Sequence, residues 1–300
     1  MQNRVRKINY VGAATACICM LALRGSLAAE RPNVLIITTD QQRVDATGAV
    51  GNQWLKTPHM DSIAAQGVYF TQSYCSYPLC SPSRASLHTG RMPHEIGVDR
   101  NNVPTDPNVP LSGQLFRAAG YDTGYAGKWH VPEVYPEDGI AGFEVLNKTS
   151  RQGKLARDVD QATMTAAIEF LQRKREKPFL LVVSFINPHD ICLLAGEDSP
   201  LLDDVWKTYG PSAGADFPPL QANHGLTVGQ PDSLGRRAKH DDWDESLWRR
   251  YRYAYYRMVE DVDRQLGRVL EALRDMKQEE NTVVVFTSDH GEGLGSHLWP

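Results

Sequence analysis

The stretch NVLIITTD, residues 33–40, decides the fold class. Val34, Leu35, Ile36 and Ile37 follow one another without a polar interruption, so neither face of an extended segment here prefers water. A strand that is apolar on both faces belongs inside a parallel sheet covered by helices. This one runs into a carboxylate, and ligands of such sheets collect beyond the carboxyl ends of the strands. Asp40 and the adjacent Gln41 are therefore candidate site residues.

Two further stretches repeat the pattern. FLLVVSFI, residues 179–186, runs into NPHD with His189, and NTVVVFTSDHGEG, residues 281–293, reads as another buried strand ending in Asp289 and His290. Between the first of these three stretches and the last, HMDSIAAQG (59–67) and LSGQLFRAAG (111–120) read as short helices, and residues 158–174 and 245–276 have helical spacing. YDTGYAGKWH (121–130) is strand-like and delivers Lys128 and His130 at alternate positions, which share a face if the segment is extended. Strands and helices alternate, which predicts an α/β fold around a mainly parallel sheet. Residues 190–244 read as a long irregular insertion. Its Trp206, Tyr209, His224, Arg236, Arg237 and Trp243 are candidates to line a glycan groove, since arginines pair with anionic groups and pockets are lined by aromatics.

Three strand ends thus bring Asp40 with Gln41, His189, and Asp289 with His290 to one side of the sheet. Carboxylate and amide oxygens with imidazole make a mostly hard set, suited to Ca²⁺, Mg²⁺ or Mn²⁺. Cys80 precedes Pro82 and the helix-like SRASLHTG, so it sits near a helix N-terminus, where the dipole favours an anion. Arg84 lies one turn further on and reaches back toward it.

The chain opens with Arg4, Arg6 and Lys7, an apolar run over 11–23, and small residues up to Ala29. This predicts a secretory signal peptide over residues 1–28 and a periplasmic or secreted product. The apolar run falls short of the ~20 residues of a membrane span, a lipid anchor through Cys17 is an alternative at a weak site, and no later segment resembles a span. The formal net charge of -4 becomes more negative once Arg4, Arg6, Lys7 and Arg24 are removed, which argues against a nucleic-acid partner. Three cysteines then remain, Cys75, Cys80 and Cys192, an odd number for an oxidising compartment. Asn147, in NKT, fits a glycosylation acceptor.

LCSPSRASLHTGR, residues 79–91, resembles the signature of the type I, formylglycine-dependent sulfatases of the alkaline phosphatase superfamily. The resemblance continues through NVLIITTDQQ, GYAGKWH, NPHD and TSDHGEGLGSH in the family's order. It implies an alkaline-phosphatase-like sandwich with residues 29–300 as the N-terminal portion of a sulfatase catalytic domain. It also implies that a formylglycine-generating enzyme oxidises Cys80 to Cα-formylglycine, which explains the odd cysteine. The hydrated aldehyde would attack the sulfur of a sulfate ester on a glycan or small molecule. By the same resemblance a divalent metal, most simply Ca²⁺, is held by Asp40, Gln41, Asp289, His290 and the modified Cys80. Arg84 orients the formylglycine, Lys128 binds a sulfate oxygen, and His130 serves the diol as base or hydrogen-bond partner. His189 faces the leaving-group oxygen as a candidate general acid. Asp289 is either a ligand alone or also a proton acceptor.

Two departures from the family pattern stand out. Gln41 replaces the second aspartate of many members, and with His290 it resembles the related phosphonate monoester and phosphodiester hydrolases. A sulfate-binding lysine usually follows GSHLW, ahead of a C-terminal subdomain, so the expectation is a chain lacking both. Phosphonate ester hydrolysis and a catalytically silent, glycan-binding chain are the alternative readings.

Overall fold

The computed structural model describes residues 31–132, 139–147, 153–196, 199–226, 240 and 243–300. The described residues from Asn33 to Pro300 form one compact unit. The leader expected over residues 1–28, and Arg236 and Arg237 of the insertion, lie outside the described residues.

Five strands, β1 (Asn33–Thr39), β2 (Asp122–Gly127), β3 (Glu144–Val145), β4 (Phe179–Ser184) and β5 (Thr282–Ser288), form one sheet in the order β3-β2-β4-β1-β5. Every pairing is parallel. The helices are α1 (Pro58–Gln66), α2 (Cys80–Thr89), α3 (Ser112–Ala118), α4 (Ala156–Leu171), α5 (Ile191–Ala195), α6 (Leu202–Tyr209) and α7 (Glu245–Asp275). None of the described helices is long and apolar enough to cross a membrane.

The unbroken apolar runs of β1 and β4 are explained by cores on both sides of the sheet. Leu35, Ile37, Leu181 and Val183 pack into a cluster with Phe170 of α4 and Val259, Val262 and Leu266 of α7. Leu180 and Val182 belong to the opposite cluster, with Ala85 of α2, Tyr125, Trp129 and Phe143. Each fully buried aliphatic side chain contributes ~1.5–3 kcal/mol relative to exposure. The 31-residue α7 starts cleanly because Asp244 accepts the backbone N–H of Leu247 at 2.8 Å, satisfying one of the orphan donors of the first turn.

Three expectations change. β5 is the last strand of the order rather than an interior one, and Val283 and Val285 are 49% and 39% exposed; a continuous apolar run does not distinguish a centre strand from an edge. The insertion carries two helices, α5 and α6, and its aromatics pack inward. Tyr209 is buried, Trp206 and Trp243 pack against the main core, and His224 stacks edge-on to Trp248. Of these four only Tyr209 is buried; Trp206, His224 and Trp243 keep part of their surface exposed. Asn147 is no free acceptor for a glycan either: its Oδ1 accepts the Gly127 N–H at 2.7 Å and its Nδ2 donates to Thr163 Oγ1 at 3.1 Å.

Gly127 closes β2 with φ of +97°, and a Cβ there would lie 1.9 Å from the carbonyl oxygen of Ser184. Both the backbone conformation and the contact demand glycine. Gly127→Ala is expected to destabilise the fold by more than ~2 kcal/mol, read as a lowered midpoint of chemical unfolding. An unchanged midpoint would show that β2 and β4 are not locked together at this point.

Candidate active site

The parallel register assembles the site. Thr39 pairs with Ser288 and Thr38 with Ser184, while Gly127 pairs with the same Ser184. The next residues of three strands, Lys128, Asp40 and Asp289, therefore emerge at one end of the sheet. The ladder extends one step past the strands: Asp289 N–H donates to Thr39 O, Lys128 N–H to Ser184 O, and Phe185 N–H to Thr38 O.

Cys80 is the first residue of α2, following Leu79 in extended conformation, and Gly90 ends the helix at φ +68°. One turn in, Arg84 is 2% exposed and ties the strand ends together. Its Nη2 donates to Asp40 Oδ2 at 2.9 Å, its Nε to Asp289 Oδ2 at 2.8 Å, and its Nη1 to Ser184 Oγ at 2.8 Å and to the Lys128 carbonyl at 3.0 Å. Lys128 Nζ lies 2.5 Å from the same Asp40 Oδ2. One oxygen of each carboxylate thus faces cations. The other oxygen of Asp289 accepts the backbone N–H groups of Gln41 and His290. Asp40 Oδ1 instead faces Cys80 Sγ at 3.7 Å and His290 Nε2 at 3.8 Å.

The histidine's tautomer follows from its neighbours. His290 Nδ1 is 2.8 Å from the Gly291 carbonyl oxygen, which can only accept. In the neutral ring the proton is therefore on Nδ1, and Nε2 turns a lone pair toward Cys80 Sγ, 3.2 Å away.

Burial and opposed charges split the two carboxylates. Burial acts to raise the Asp40 carboxyl, but Lys128, His189, Arg84 and His290 together hold it well below the usual range. The Asp289 carboxyl is raised by burial and by the charge of Asp40, against the pull of Arg84. The Cys80 thiol is pushed up to about 12 by burial and by Asp40. At neutral pH it is a protonated thiol and not a nucleophilic thiolate.

Lys128 and His130 do not lie along one extended face. β2 ends at Gly127 and His130 has φ +56°. Lys128 nonetheless reaches the site through its Nζ on Asp40, and burial, Lys128 and Arg84 lower the His130 imidazole to about 4, against Asp40. His130 is thus neutral at pH 7. Its carbonyl accepts from Ser81 Oγ at 2.6 Å, which fastens the turn to α2. His189 is half-buried on the turn after β4 and close enough to act on Asp40's charge. Gln41, at φ +72°, turns its side-chain amide to Glu292 Oε2 and to Cys192 Sγ.

Sequence reasoning did not single out Glu292, Ser184 or Asn101, which accepts the Ser81 N–H of α2 at 3.0 Å. Glu292 carried one signal, its place between two glycines two residues after His290. Ser184 and Asn101 carried none, because their roles depend on strand register and loop closure.

One atom each from Asp40, Cys80, Asp289 and His290 lies within 4.8 Å of the others, a group able to hold a metal ion. The donor set fits a divalent cation: a carboxylate oxygen with no cationic partner and an imidazole lone pair point into the same space beside Cys80.

The family described as Sulfatase matches residues 32–298. The chain is 32% identical to the sulfatase YidJ of Escherichia coli strain K12 over 302 residues, which cover 89% of this chain and 59% of that protein. It is also 32% identical to the Delta 4,5-hexuronate-2-O-sulfatase of Bacteroides thetaiotaomicron, over 92% of this chain and 60% of that protein. The phosphonate monoester hydrolase of Agrobacterium radiobacter has a similar structure, with a TM-score of 0.70 and 27% identity over 89% of this chain and 64% of that one. The chain spans about three fifths of the length of the curated relatives it matches. The match takes in the four strand ends and the helix that build the site, and on that basis the chain belongs to the sulfatase family.

Proposed function

We propose that the chain carries the catalytic residues of a secreted or periplasmic sulfatase that hydrolyses a sulfate ester on a carbohydrate. The observation that carries this reading is the buried Arg84 bridging Asp40 and Asp289, with Asp40 Oδ1 and the His290 lone pair turned toward Cys80. A sulfate ester resists attack because its oxygens already bear negative charge, so a catalyst needs fixed positive charge and a strong oxygen nucleophile. Arg84 and Lys128 supply the charge. Burial and Asp40 push the Cys80 thiol up to about 12, which disfavours a thiolate nucleophile; the family match that spans Cys80 supports its oxidation to Cα-formylglycine by a formylglycine-generating enzyme.

In this reading one hydroxyl of the hydrated side chain at position 80 gives its proton to Asp289 as it attacks sulfur, and the bond from sulfur to the leaving oxygen breaks. His189 gives that oxygen its proton. His130, neutral at pH 7, then takes the proton of the second hydroxyl as the aldehyde reforms and sulfate departs. Asp40, Asp289, His290 and the modified residue, with Gln41 beside them, would hold a divalent cation, Ca²⁺ or alternatively Mg²⁺ or Mn²⁺. Such an ion supplies Lewis-acid polarisation of a sulfate oxygen. The carbohydrate assignment rests on the hexuronate 2-O-sulfatase relative.

Removing divalent ions with a chelator is expected to abolish activity, and Ca²⁺ to restore it. Saturating Ca²⁺ at about 100 times Kd is also expected to stabilise the protein by about 2.7 kcal/mol, seen as a higher Tm. A Tm indifferent to Ca²⁺, Mg²⁺ and Mn²⁺ would contradict the metal assignment. A second reading, phosphonate monoester hydrolysis, is favoured by Gln41 standing with His290 and by the structural relative of that activity. Comparing kcat/KM on an aryl sulfate and an aryl phosphonate monoester separates the two. The sulfatase reading expects a preference for sulfate of roughly 10-fold or more, and the reverse preference would overturn it.

A further inference from the structure

His189 stands on the turn between β4 and α5, and side chains of α4, α6 and α7 fix this turn. Asp160 of α4 is fully buried and spends both oxygens on consecutive amides: Oδ1 accepts the Ile186 N–H at 2.6 Å and Oδ2 the Asn187 N–H at 2.9 Å. Asp190, also fully buried, accepts the N–H of Ala156 at the start of α4 at 2.7 Å, and its own N–H donates to Asn187 Oδ1 at 3.3 Å. Asn187 Nδ2 donates to Tyr209 Oη of α6 at 3.0 Å, and Tyr209 donates to Asp261 Oδ2 of α7 at 3.2 Å. Three helices therefore hold one six-residue turn.

Buried carboxylates are costly, and well-packed apolar residues in their place are often neutral or stabilising. Side-chain acceptors for two successive amides do one thing that apolar packing does not: they fix the path of the backbone. The side chain of this turn that acts on the catalytic carboxylate Asp40 is His189. Burial lifts the Asp160 carboxyl well above its ordinary value, against its two backbone N–H donors, so those two hydrogen bonds stand in a desolvated place where misplacement is expensive.

We propose that Asp160, Asn187, Tyr209 and Asp261 are positioning residues for His189, and that through it they govern how well the site expels a poor leaving group. The proposal rests on the sulfatase reading above. It gives α6, in the insertion, a role other than lining a groove: Tyr209 supports the turn of the acid through Asn187. The chemistry makes the effect selective. When the sulfur–oxygen bond of a sugar sulfate breaks, the alcohol oxygen must take a proton from His189. A 4-nitrophenolate leaves with the electron pair unprotonated and needs no acid.

The test measures kcat/KM on a sulfated monosaccharide and on 4-nitrophenyl sulfate for the wild-type protein, Tyr209→Phe and His189→Ala, each produced with a formylglycine-generating enzyme. Asp160→Asn would face two amides with a half-donor group and is expected to fold poorly, so Tyr209→Phe, which keeps the ring, is the deciding variant. A positioned general acid is worth ~10²–10⁴-fold. Tyr209→Phe is expected to lose ~10-fold or more on the sugar sulfate and less than ~2-fold on the aryl sulfate. Equal losses on both substrates, or no loss on either, would overturn the positioning role. His189→Ala should show the same selectivity at larger amplitude; if it does not, the assignment of His189 as the acid fails instead. A wild-type protein that turns over neither ester removes the sulfatase reading itself.

Discussion

Replacing Arg84 with alanine is expected to destabilise the protein by on the order of 3–5 kcal/mol and to abolish activity. The guanidinium makes four hydrogen bonds within a site where Asp40 and Asp289 are buried side by side. Without it, two desolvated carboxylates face each other with Lys128 as the cation left in contact with Asp40. Arg84→Lys should rescue little, because an ammonium on a flexible stem cannot reach Asp40 Oδ2, Asp289 Oδ2 and Ser184 Oγ together. Urea unfolding measures this directly, as a fall in midpoint at unchanged slope. An Arg84→Ala protein as stable as wild type would mean that the carboxylates are neutral or solvated, and that the charge arrangement described for the site is wrong.

The second large effect separates chemistry from fold. Cys80→Ala removes a small buried side chain at the first position of α2 and touches none of the Arg84 contacts. Its stability should therefore change by less than ~1.5 kcal/mol, well below the cost of losing Arg84. Activity toward sulfate esters should fall by at least ~10⁴-fold, the scale on which loss of a covalent nucleophile is felt. A Cys80→Ala protein retaining more than a small fraction of its turnover would place the nucleophile elsewhere.

Much of the site was legible because it is built from strand ends. The unbroken apolar runs of β1 and β4 required helices on both faces, and the residue after each strand of a parallel sheet has one place to go, so Asp40, His189 and Asp289 could be grouped from pattern alone. The helix start at Cys80 was equally readable from Pro82 and the segment after it. What pattern could not supply was register and edge. β5 carries the same kind of run as β1, yet lies last in the order with two valines exposed. Lys128 and His130 looked alternate on a strand, but Gly127 ends β2 and both side chains arrive by a turn. The aromatics of the insertion looked free for sugar, whereas Trp206, Tyr209 and Trp243 are absorbed by packing on the core. Glu292 went unnoticed because its partner, the Gln41 amide, lies 251 residues away in sequence. In each case a long-range contact decided what a local pattern left open.

The central claim, that Cys80 is the precursor of an oxygen nucleophile, is tested most directly by mass. The protein is produced in a host with a formylglycine-generating enzyme, and the tryptic peptide containing Cys80 is weighed. The expected result is a peptide lighter by ~18 Da than the cysteine form, or its hydrate, with the thiol no longer alkylated. An unmodified, alkylatable Cys80 from a host proven competent would contradict it.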